Sequence, residues 1–291
     1  MIGQKIAIGT VQFGLDYGIS NSKGKVGIKA VESILDAAYD LGINTLDTAI
    51  NYGSSEEVLG IAGVGNWNVV SKLPAIPSDC KDIEGWILNQ VLRSLEKLKI
   101  DSLYALLLHE PRQALGKYGK LLIETLEKLK SDGLIKNIGV SIYDPSELDD
   151  LYGICPIDLL QLPLNILDRR AEQSDLIKRL SGQGCEIHVR SVFLQGLLLM
   201  KNEARPRAFD KWSFIWDQLD DWLLLNKLTR LEACLSAALS WPLVNKVILG
   251  VTSLSELQEI SNATVNLNLN LKLPDTLSSS DLNLITPSLW K

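Results

Sequence analysis

Eight short apolar runs, each followed by a longer stretch of helical periodicity, restrict the fold of this chain more than any other feature. The candidate strands cover residues 5–9, 43–48, 68–73, 103–109, 137–141, 159–162, 186–191 and 247–250. Helical patterns fall at about 28–41, 55–62, 80–99, 117–132, 146–152, 172–183, 212–239 and 254–261. In DIEGWILNQVLRSLEKL, residues Ile83, Ile87, Val91, Leu95 and Leu98 fall on one stripe, the period of a helix that buries one face. Alternating βα units with right-handed crossovers build a parallel sheet, and eight of them close it into a barrel. The expected fold class is therefore α/β, a (β/α)8 TIM barrel. A length of 291 residues suits one such domain spanning 1–291. Residues 263–291 form a C-terminal extension in this reading. Its VNLNLNLKL run has the period of a strand, and an extension capping the barrel rim is the alternative.

Charge and composition exclude several classes of function. A net charge of −6 opposes a generic nucleic-acid or anionic-membrane binder, since both partners select basic surfaces. No apolar run approaches the roughly 18 residues a membrane span needs, and no basic start precedes an apolar run. A cytoplasmic location is expected. The four cysteines, Cys80, Cys155, Cys185 and Cys234, form no CxxC pair and no metal-ligand spacing, which fits reduced thiols and no metal site.

The chemistry-bearing residues cluster at strand ends. In LDTAINYGSSEEVLG, at 46–60, Asp47 and Tyr52 lie where the second apolar run gives way to a loop. Lys72 falls inside the next run and His109 at the end of the one after. Catalytic groups of a (β/α)8 barrel gather at the C-terminal ends of its strands. Tyrosine is a poor acid near neutral pH unless a cation favours its phenolate, and Lys72 is the cation at hand. A lysine held in a core keeps its charge when a carboxylate lies beside it, the part assigned to Asp47. His109 is expected to orient a substrate oxygen through a neutral imidazole. The other histidine, His188, sits at even spacing from Arg190 on an inward-facing pattern and is read as a core residue.

Together these residues resemble the aldo-keto reductase family, whose reductases carry an Asp-Tyr-Lys-His tetrad in this chain order. The resemblance runs through GTVQFG at 9–14, LDTAINYG at 46–53, VVSKL at 69–73, RSLEKLKIDSLYALLLHEP at 93–111, IKNIGVS at 135–141, QLPLN at 161–165, SVFLQGLL at 191–198 and VILGVTSLSEL at 247–257. It implies carbonyl reduction with NADPH as cofactor, NAD(H) being the alternative, and a small-molecule aldehyde or ketone, sugar-derived compounds among them, as substrate. It also implies that Ser141 and Gln161 hold the nicotinamide carboxamide, and that Ser191, Leu194, Gln195 and Gly196 lie along the pyrophosphate. The family's C-terminal tail helps wall the substrate site, which brings in Trp290.

Four departures from the family pattern concern the cofactor. Ile142 replaces the Asn that follows the serine of the fifth strand. Arg190 stands where an aromatic ring usually stacks on the nicotinamide, and its planar guanidinium is expected to stack there instead. After the eighth strand the segment offers Gly250, Thr252 and Ser253 together with Glu256, in place of Lys or Arg for the 2′-phosphate. Ile260 stands where Asn is usual. Arg205 and Arg207, with Lys201, are the cations expected to compensate. The altered cofactor end leaves open a non-catalytic nicotinamide-binding barrel serving as a regulatory or scaffold subunit. A carboxylate-based hydrolase or isomerase would need a partner for Glu110, and none is evident.

Overall fold

The computed structural model describes residues 2–265 and 267–290. Eight parallel strands, β1 (Ile6–Gly9), β2 (Thr45–Asp47), β3 (Asn68–Leu73), β4 (Leu103–Leu108), β5 (Ile135–Ser141), β6 (Leu159–Pro163), β7 (Glu186–Arg190) and β8 (Lys246–Gly250), pair in sequence order, and β8 returns to β1. The register sets Gly9 beside both Asp47 and Gly250, Lys72 beside Leu107 and Ser141 beside Gln161. Polar residues from neighbouring strands thus end on the same rim.

Helices surround the sheet: α1 (Val11–Gly14), α2 (Ile28–Asp40), α3 (Ser55–Ala62), α4 (Ile83–Leu98), α5 (Gly119–Ser131), α6 (Glu147–Leu151), α7 (Asp175–Gly182), α8 (Ser213–Asn226), α9 (Arg230–Leu239), α10 (Leu254–Val265) and α11 (Leu282–Ile285). The stripe expected on α4 is buried in full, and Asp82 caps that helix by accepting from Gly85 N at 2.9 Å. Apolar side chains between sheet and helices form one continuous core, while Val70, Ala105, Leu107 and Leu159 form a second, smaller cluster. His188 is buried, its Nε2 3.1 Å from Glu186, which also accepts from the Tyr104 hydroxyl. That contact engages one ring nitrogen within the sheet, while the buried Nδ1 has no partner among the described residues.

The helical pattern at 212–239 is not one helix. It breaks at Lys227, whose φ of 55° is left-handed, and α9 restarts with a capping box between Thr229 and Glu232. Nor does the described part of the tail form a strand. It docks through Leu277, Leu284 and Ile285, all buried, through Ser279 N on Leu167 O at 2.8 Å, and through Arg169 on the carbonyl of Pro274 at 3.0 Å. Trp290 packs edge-on against Phe209, ring centroids 4.9 Å apart, and donates to Leu284 O. Among the described residues, no helix is long and apolar enough to cross a membrane.

Candidate active site

The loop that carries Tyr52 is fastened before the side chain can be placed. Thr10 Oγ1 donates to Asp47 O at 2.9 Å, Ser55 Oγ donates to Thr10 O at 3.0 Å, and Thr48 Oγ1 donates to Ser55 Oγ at 3.1 Å. All are buried, so water does not compete for these bonds. Gly14 lets the α1 turn press on this loop, since a Cβ there would lie 1.8 Å from Tyr52 O. Glu56 pins the start of α3 by accepting from Ser71 and Ser94.

Within this frame the four expected groups converge. Lys72 is 1% exposed, and its Nζ donates to both Asp47 oxygens and to Thr48 O, each at 2.8 Å. The ammonium lies 5.1 Å from the centroid of the Tyr52 ring. His109, held by its backbone N–H on Leu73 O, meets that ring nearly edge-on, centroids 6.1 Å apart at 77°. Burial pushes the His109 imidazole down to about 4, with the positive charges of Lys72 and Arg190 adding to the shift and Asp47 opposing it. It is therefore neutral near pH 7 and has one N–H to donate.

A cavity of about 790 Å³ opens from this centre and runs past the ends of β7 and β8 to α9 and α10. Gln161 ties it to the tetrad, its Nε2 on Asp47 Oδ1 at 2.6 Å and its Oε1 accepting from Ser141 at 3.2 Å. Ser141, Gln161, Arg190, Ser191, Gln195, Gly196, Gly250 and Thr252 all line it. The segment after β7 is wound tightly, with left-handed φ at Ser191, Leu194, Gln195 and Gly196. Its glycine is required for space as well, because a Cβ on Gly196 would meet Ser20 Oγ at 2.0 Å.

Several expected contacts fall elsewhere. Leu194 is fully buried in the core and Ser253 shares its hydroxyl with Ser255, and neither lines the cavity. Arg205 is 8% exposed, stacked 4.0 Å over Trp216 and bonded to Asn202 and Met200 O, so it is spent on packing. Arg207, which is exposed, and Trp290 also lie outside the lining. Thr252 gives its N–H and hydroxyl to Glu256, at 2.7 and 2.8 Å, which occupies the donor expected for a ribose. Ile142 is buried, and its carbonyl holds Arg190 Nη2 at 2.9 Å. The Arg190 guanidinium lies 4.4 Å over the Tyr143 ring, so one of its faces is already covered.

Sequence reasoning missed a second set of lining residues: Gln12, Tyr17 and Lys23 around the β1 loop, Tyr143, and Arg230 and Glu259 on α9 and α10. Only Arg230 had a nearby signal, the Thr-x-x-Glu capping box that starts its helix. Gln12 Oε1 is buried without a partner, an acceptor waiting for a donor in the cavity.

The sequence model of the Aldo/keto reductase family matches residues 5–273. The chain belongs to the aldo/keto reductase family. Among curated relatives, an uncharacterised oxidoreductase of Bacillus subtilis is 26% identical over 249 residues, covering 78% of this chain and 79% of the relative. A glyoxal reductase of the same organism is 32% identical over 198 residues, covering 67% and 69%. The solved glycerol dehydrogenase of Gluconobacter oxydans superposes with a TM-score of 0.71 over 97% of this chain and 92% of its own at 20% identity, a likeness of fold. The protein is thus an oxidoreductase, and membership implies nicotinamide-dependent carbonyl reduction. The aldo/keto reductase cavity fits such a cofactor in its donor set: the amide of Gln161 and the hydroxyl of Ser141 beside the tetrad, the wound segment after β7, and the orphaned acceptor of Gln12.

Proposed function

We propose that this protein is an NADPH-dependent reductase of small aldehydes or ketones in which Tyr52 is the general acid. The observation that carries this reading is the buried Asp47–Lys72 pair close to the Tyr52 ring, with neutral His109 set edge-on to the same ring. The bound nicotinamide supplies the hydride. The protein's own residues do the rest. His109 donates its N–H to the carbonyl oxygen and fixes its position. Tyr52 passes its hydroxyl proton to that oxygen, and negative charge grows on the phenol as the O–H bond breaks. Lys72 stabilises that charge without reorganising, because Asp47 and Thr48 O already hold it. Asp47 is held in turn by Gln161, so the Lys72 ammonium and the residues expected to hold the carboxamide share one hydrogen-bonded chain.

NADPH is favoured because the cations Lys23, Lys201 and Arg230 line the cavity, Arg230 being already paired with Asp220. Glu256 and Glu259 line the same cavity and weaken that preference. The relative named for glyoxal makes small reactive aldehydes the first substrates to try. Purified protein is expected to oxidise NADPH with methylglyoxal or nitrobenzaldehyde. Glu256→Arg is expected to tighten NADPH roughly ten- to a hundredfold while NADH changes little. Absence of turnover with every aldehyde and both cofactors would remove the proposal. Titrations in which Glu256→Arg moves neither cofactor would separate α10 from the ribose.

A further inference from the structure

Arg190 is the last residue of β7 and lines the reaction cavity together with Tyr17, Tyr52 and His109. Its guanidinium is held from behind, Nη2 on Ile142 O at 2.9 Å and Nη1 on Ser191 Oγ at 3.3 Å, with Tyr143 against one face. An arginine has five N–H donors, so these bonds leave donors free. Among the described residues no carboxylate lies within ion-pair distance of it, whereas Arg169, Arg170 and Arg230 each pair with an aspartate. The other cation at the centre, Lys72, is saturated by Asp47 and Thr48 O. The reaction centre therefore holds one positive charge that the protein does not neutralise. Its field reaches the catalytic groups, since it helps keep His109 unprotonated.

A half-buried charge of this kind is costly unless a ligand compensates it. A neutral ring stacked on the open guanidinium face would leave the charge in place. A carboxylate would cancel it and engage the planar fork with two parallel N–H bonds. A phosphate dianion would call for a second cation; Lys72 is already engaged, and Lys23 and Lys201, which also line the cavity, are exposed.

We propose that Arg190 recognises a carboxylate on the substrate, so that the preferred substrates of this site are aldehydes or ketones bearing an acid group. This rests on the carbonyl-reductase reading. It assigns specificity to a residue outside the tetrad, on the strand opposite β3.

The test compares para-carboxybenzaldehyde with its methyl ester, two aldehydes of nearly equal size that differ in charge. In wild-type protein with NADPH, kcat/KM for the acid is expected to exceed that for the ester by roughly ten- to a hundredfold, the worth of a charge-assisted hydrogen bond. Arg190→Met is expected to collapse that ratio to about one, mainly through KM of the acid. Arg190→Lys, which keeps the charge and loses the fork, should retain part of it. An acid-to-ester ratio near one in wild type, or one that Arg190→Met leaves unchanged, overturns the assignment even if both aldehydes are reduced. Calorimetric titration of the two compounds into protein with oxidised cofactor reads the same preference without turnover. Failure of carbonyl reduction would then leave the binding preference to stand or fall alone.

Discussion

Replacing Lys72 by Met should damage rate and stability by separable amounts. The ammonium lies 5.1 Å from the Tyr52 ring centroid. At an effective dielectric of about 20, a full negative charge at about that distance is stabilised by about 3 kcal/mol, and a half-developed one by about half as much. Loss of that interaction lowers kcat by roughly ten- to 200-fold. Stability suffers for a different reason. Both Asp47 oxygens receive Nζ at 2.8 Å, and the residue is 5% exposed, so Lys72→Met strands a buried carboxylate at a cost of about 3–5 kcal/mol. In a domain of this size that is a fall of roughly 6–15 °C in Tm. The double variant Lys72→Met, Asp47→Asn removes the stranded charge and should recover much of the Tm while recovering none of the kcat. Thermal melts by circular dichroism and NADPH-coupled assays on the three proteins read both quantities. Recovery of kcat in the double variant would refute the reasoning, because the rate loss would then come from a disturbed fold rather than the missing charge.

Two further outcomes follow from the same geometry. His109 is pushed down to about 4 from 6.5, so between about pH 6.5 and 4 the unfolded chain binds more protons and the native state loses stability as pH falls. His109→Gln should therefore lose less Tm than wild type between neutral pH and about pH 4. Parallel curves would show that His109 does not titrate as the burial implies. Gly196→Ala puts a Cβ 2.0 Å from Ser20 Oγ at a residue with φ of 90°, and should cost roughly 1–3 kcal/mol while loosening the contact between the β1 and β7 loops. Weaker NADPH binding by fluorescence titration is the expected readout, and an unchanged dissociation constant would detach that contact from the cofactor.

The barrel was legible because its strands are continuous apolar runs whose length and spacing leave few other folds. Small shifts at the ends, such as β2 starting at Thr45 and β5 at Ile135, come from hydrogen bonding that apolar content does not report. The α8–α9 break was hidden because leucines continue through it, and only Thr229 and Glu232 carried the signal. The tetrad was legible for a related reason: Asp47 and Lys72 lie in strands whose register fixes them, His109 directly follows β4, and Tyr52 lies on the short loop after β2. The far end of the cavity is different. Arg205 and Arg230 both lie in charged stretches, and only the packing of Trp216 under the first and the start of α9 at the second decide which one reaches the cavity. Glu256 likewise read as an unengaged carboxylate, yet it accepts from Thr252 N and Oγ1 while still lining the cavity.

The most direct test of the central claim is single-turnover oxidation of NADPH by nitrobenzaldehyde in wild type and Tyr52→Phe, with cofactor and aldehyde both saturating. If Tyr52 delivers the proton, the variant should bind NADPH as wild type does and turn over roughly 10²–10⁴-fold more slowly. A single-turnover rate equal to that of wild type would contradict the account and move the acid to another residue of the cavity.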